Sequence, residues 1–85
     1  MDDVTMIERL ARSICANRGI PADDHHPHFD SQWQAVAREA KGVLIALLDP
    51  TPQMQRAGAE AAGIAPEKAA AVYRAMIEAA VARQI

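Results

Sequence analysis

The stretch LLDPTPQMQRAGAEAAG, Leu47 to Gly63, ends one helix and begins another within a few residues. Asp49 precedes Pro50, and the proline ring pushes the residue before it out of helical geometry, so the upstream helix is expected to stop at Leu48. Thr51 can cap a new helix whose first position is Pro52, where a missing amide hydrogen loses no helical bond. Gly63 supplies the left-handed residue that closes it. Two helices joined by a stiff corner follow. The second is bland inside: Met54, Ala57 and Ala61 form its apolar face with Gly58 beside them, so it either approaches a neighbour very closely or packs weakly.

Upstream of the corner, Ser31 to Leu48 reads as the longest apolar helix. Trp33, Val36, Ala37, Ala40, Val43, Leu44, Leu47 and Leu48 recur at helical spacing, with Asp30 or Ser31 as cap. Gly42 inside it costs about 1 kcal/mol against Ala, which points to a close helix crossing there. Nearer the start, Ile7, Leu10, Ala11, Ile14 and Cys15 share one face of a helix. Thr5 and Glu8 form its capping box and Gly19 its stop. Cys15 lies on that apolar stripe and reads as a small core residue, since no His or acid stands at a spacing that would activate it.

Downstream, Pro66 opens a last helix with Ala69, Val72, Tyr73, Met76, Ile77 and Ala80 on one stripe. Glu67 in its first turn and Arg83 near its end complement the helix dipole. No strand pattern and no internal repeat is present. The expected fold is all-α: one domain over residues 1–85, a small bundle of four helices, the third short, with an irregular polar loop between the first two.

A chain of 85 residues supports one core, and 19 of its residues are Ala, which favours helix while adding little buried area. A thin core is a motive for self-association. The formal charge is −2; Met1 to Pro50 carries five basic and eight acidic residues, Thr51 to Ile85 four and three. Neither part is a basic surface, so binding through a broad phosphate-contacting patch is not expected. A lone cysteine forms no internal disulfide. With no apolar run of membrane-spanning length and an acidic start unlike a signal peptide, the expected location is the cytoplasm, with no membrane association.

The one chemically rich stretch is IPADDHHPHFD, Ile20 to Asp30. His25, His26 and His28 with Asp23, Asp24 and Asp30 have the donor types for Zn²⁺ or Ni²⁺, but adjacent residues seldom converge on one ion and Pro27 stiffens the backbone. A mobile polar loop with Phe29 folded back as an anchor is expected, with no metal and no cofactor. Asp2 with Asp3, and Asp23 with Asp24, read as solvated charge. No phosphate-binding glycine loop and no Ser/His/Asp order occurs, so an enzyme is not expected.

The run AEAAGIAPEKAAAVYRAM has helix-turn-helix spacing: Ala59 in a first helix, Gly63 at the turn, Ile64 behind it, Ala69 and Val72 where a second helix packs back. Its reading positions would be Pro66, Glu67, Ala70, Ala71 and Arg74, a poor set for base edges. A turn between packed helices is the preferred reading, and a DNA-binding regulator the alternative.

Three blocks, IERLARSIC near the start, WQAVAREAKGVLIALLDPTPQMQRAGAEA in the middle and YRAMIEAAV near the end, resemble a group of small uncharacterised helical proteins of phages, prophages and proteobacterial genomes. The resemblance implies a mobile-element association and no established activity. The histidine loop lies outside the shared pattern, and the segment from Ala61 to Ala70 is variable in that group. The expected function is therefore a non-enzymatic protein-interaction module acting stoichiometrically on a protein partner, for example as an inhibitor of a host or defence protein such as an anti-CRISPR. A homodimer is expected, with Trp33, Val36, Leu44, Gly58 and Tyr73 as candidate interface residues.

Overall fold

A computed structural model of the chain describes residues 4–82, which excludes Asp2, Asp3 and Arg83. Five helices appear in order: α1 (Met6–Asn17), α2 (Gln32–Ala35), α3 (Ala37–Ala46), α4 (Pro52–Ala62) and α5 (Pro66–Ala82). The described residues are all-α, with an isolated bridge between His26 and Phe29 as the sole β pairing among them.

The first helix follows its pattern. Thr5 Oγ1 accepts from the Glu8 amide at 3.1 Å, while the Glu8 carboxylate turns to Arg12. At the other end Gly19 takes φ 70°, its amide donating to the Ala16 carbonyl and that of Ile20 to the Cys15 carbonyl. These two bonds satisfy carbonyls that the helix leaves open, and Ile20 then packs on the core.

The expected single helix from Ser31 to Leu48 is two. It breaks at Val36 (φ −102°, ψ 6°), whose amide donates to the Trp33 carbonyl three residues back. The cause lies upstream: the Gln32 amide donates to the Asp24 carbonyl and the Trp33 amide to the Ala22 carbonyl, so the loop aims α2 independently of α3. Val36, a β-branched residue of reduced helix propensity, absorbs the difference. Ser31 stands at the cap position of α2, yet its hydroxyl makes no cap bond. Helix α3 then ends at Ala46, two residues early, in a tight tail where Leu47 and Leu48 donate to carbonyls three residues back.

The core comprises Ile7, Ala11 and Cys15 of α1, Trp33 of α2, and Ala40 and Leu44 of α3. Cys15 is fully buried, as expected of a core residue. Gly42 meets nothing within 4 Å, so the expected helix crossing there is corrected: it lies on the outer side of α3. From α5, Ala80 and Val81 reach the core.

The corner forms as expected, with Thr51 Oγ1 accepting from the Met54 amide at 3.2 Å and Pro52 opening α4. Gly63 closes it at φ 67°. Helix α4 packs on α5 alone, whereas α5 touches α4, α3 and α1 in turn. The molecule is accordingly long, 48 × 23 × 22 Å, with a radius of gyration of 15.5 Å against the roughly 12 Å of a compact domain of this length.

Candidate functional site: the open face of the α4–α5 hairpin

Two contacts orient the hairpin. Near its turn, a Cβ on Gly58 would lie 3.4 Å from Ala69 Cβ; at its open end Asp49 pairs with Arg74. Moving back along α4 therefore moves forward along α5, and the helices lie side by side in opposite directions.

The face of α4 that meets α5 is Gln55, Gly58 and Ala59, not the expected Met54, Ala57 and Ala61, which stay exposed. The reason is the glycine: without a Cβ it admits α5 closest on its own side of the helix. Along α5, Ala69, Tyr73, Ile77 and Ala80 are half-buried and no residue is fully buried. The expected stripe is corrected at two positions, because Val72 is 56% and Met76 67% exposed.

These exposed residues share a side. Successive helical residues turn by about 100°, which puts Met54, Ala57 and Ala61 to one side of the α4 contact line and Arg56 and Glu60 to the other. On α5 the same sense of rotation places Val72, Met76 and Ala79 to one side of the Tyr73–Ile77 line, and Glu67, Arg74 and Glu78 to the other. In two antiparallel helices that face each other, equal rotations of the same sense reach the same side of the pair. One side of the hairpin is thus apolar and the opposite side charged, with Lys68 at the border of the apolar side near the turn. The sequence carried one signal of it, the adjacent apolar pairs Val72–Tyr73 and Met76–Ile77, which a single neighbouring helix cannot cover on both sides, but not which member of each pair stays open.

The residues singled out from sequence are dispersed. Trp33 (7% exposed) and Leu44 (3%) lie in the core of the single chain, and Val36 packs against it. Gly58 receives Ala69 of its own chain, and Tyr73 is half-buried on α5.

The histidine loop is a compact turn. His26 Nδ1 accepts from the His28 amide at 3.1 Å, and the His26 and Phe29 rings meet edge to face at 5.3 Å. Phe29, expected to fold back as an anchor, does turn back onto that imidazole and stays half-exposed there. The loop is tied down from α1: Arg12 bonds Glu8 at 2.8 Å and Asp23 at 2.9 Å, and its guanidinium lies 5.6 Å from the centre of the Trp33 ring. Hydrogen bonding and then the charge of Arg12 hold the Asp23 carboxyl below its ordinary range. Asp23 is thus a latch for the loop, and no group of three or more His, Cys, Asp or Glu able to hold a metal ion occurs among the described residues.

No helix of the described residues is long and apolar enough to cross a membrane. No family model, curated protein or solved structure matches the chain.

Proposed function

We propose that the protein is a small non-enzymatic interaction module of the mobile-element kind, acting stoichiometrically by presenting the apolar side of the α4–α5 hairpin to another protein chain. The observation that carries this reading is the exposure of Val72 and Met76 on a helix whose charged residues, Lys68 at the border apart, gather on the opposite side. Apolar surface gathered on one side of a helical pair has a reason to be covered by protein, whereas scattered apolar residues need none. Exposed basic residues are few on α5, only Lys68 and Arg74 in the described part, and Arg74 is engaged by Asp49 and Glu78. A DNA-binding regulator, the alternative, would need such residues free for phosphate.

The test is binding of a labelled DNA duplex at low and moderate salt, with the native chain. Absence of salt-sensitive binding is the expected result. Affinity that falls steeply with salt, and that weakens in Lys68→Ala, would overturn the reading in favour of nucleic acid.

A further inference from the structure

Resting on that reading of the hairpin face, we infer that its occupant is a second copy of this chain, two hairpins packing apolar side to apolar side into an intermolecular four-helix bundle. Surface area is the first argument. A folded monomer of 9.2 kDa exposes about 4,900 Å², whereas this chain exposes 6081 Å². The excess, about 1,200 Å² per chain, is surface left uncovered by a long molecule, and a standard interface needs about 800 Å² from each partner.

The place of the excess is the second argument. Helix α4 packs on α5 alone, α5 buries no residue completely, and Val72 and Met76 are more exposed than any other large apolar side chain among the described residues, Val43, Ile45 and Leu47 included. The core formed by α1, α2 and α3 already closes over Leu44 and Trp33.

The third is self-complementarity. A two-fold interface brings the same surface together from both sides, so protrusions and recesses must both be present on it. Met54, Val72 and Met76 protrude, while Ala57, Ala61 and Ala79 leave recesses between them. The face carries no charge at its centre to select a different protein or to repel its own copy; Lys68, at the border, stays in the solvated rim. Two such hairpins meeting at the shallow angle of four-helix bundles bury both faces without moving any element of the chain.

The experiment measures molar mass by light scattering across a dilution series for the native chain, Met76→Glu and Val72→Glu, with helix content followed by circular dichroism. The native chain is expected to be a dimer at high micromolar concentration, and each glutamate to weaken it at least about a hundredfold by placing an unpaired carboxylate in the seam. A native chain that remains monomeric overturns the second copy and leaves the protein-binding reading standing, since that reading fails only on salt-sensitive DNA binding. A dimer that persists in both folded variants overturns the face. Should either variant unfold, peroxide oxidation of the native chain decides. Met54 and Met76 are expected to be protected at high concentration and to react on dilution, while Met6, 43% exposed on α1, reacts equally in both. Equal oxidation of all three at every concentration overturns the proposal.

Discussion

Asp49, in the corner between α3 and α4, pairs with Arg74 in the middle of α5, 25 positions away. The pair closes the open end of the hairpin, as Gly58 and Ala69 close the end near the turn. Both side chains are solvent-exposed, so their attraction is screened and their coupling small. A double-mutant cycle over Asp49→Ala and Arg74→Ala is expected to give a coupling of at most about 1 kcal/mol, declining with salt.

The cap at Thr51 carries more. Its hydroxyl satisfies the Met54 amide, which has no partner within the helix. Thr51→Ala should destabilise by about 0.5–2 kcal/mol. Thermal unfolding should register that as a fall of about 4–8 °C per kcal/mol. An unchanged midpoint would mean that the corner is not held by this cap.

The two interior glycines should respond in opposite ways to a larger side chain. Gly42 faces open space, so Gly42→Ala relieves only the entropic cost of glycine and should stabilise by about 0.4–1 kcal/mol. Gly58 faces Ala69, so Gly58→Leu forces α4 and α5 apart and should destabilise by about 1–3 kcal/mol. Denaturant midpoints of the two variants check both signs.

Leu44 should behave as a core residue. Leu44→Ala is expected to cost about 2–5 kcal/mol, a large part of the total stability of a domain this small. Leu44→Glu should lose its helical circular dichroism outright, whereas Met76→Glu should keep it. A folded Leu44→Glu would contradict the burial of this side chain.

The Arg12–Asp23 latch predicts a pH dependence. The folded carboxyl of Asp23 holds its proton less tightly than the unfolded one, because Arg12 hydrogen-bonds and attracts the charged form. Its contribution is therefore fully present above the ordinary Asp range and is lost as pH falls through the lowered folded value. An NMR titration of the Asp23 carboxyl should move upward in Arg12→Ala, toward the ordinary aspartate value. Since the carboxylate is exposed, the accompanying change in stability is small.

The sequence alone determined the helical class, the caps at Thr5 and Thr51, the stops at Gly19 and Gly63, and the buried face of α1. Each of these rests on local chemistry: a hydroxyl three residues before an amide, a glycine free to take positive φ, apolar residues every three or four positions. The break at Val36 was not legible there, because it depends on where Ala22 and Asp24 place their carbonyls. Nor was the packed side of α4 legible. Its composition offers two similar faces of small residues, and only the close approach of Ala69 to Gly58 selects between them. That choice turns Met54, Val72 and Met76 outward. The open face of the hairpin is thus a product of tertiary packing, since helical spacing shows which residues lie together but not which side a neighbouring helix will cover.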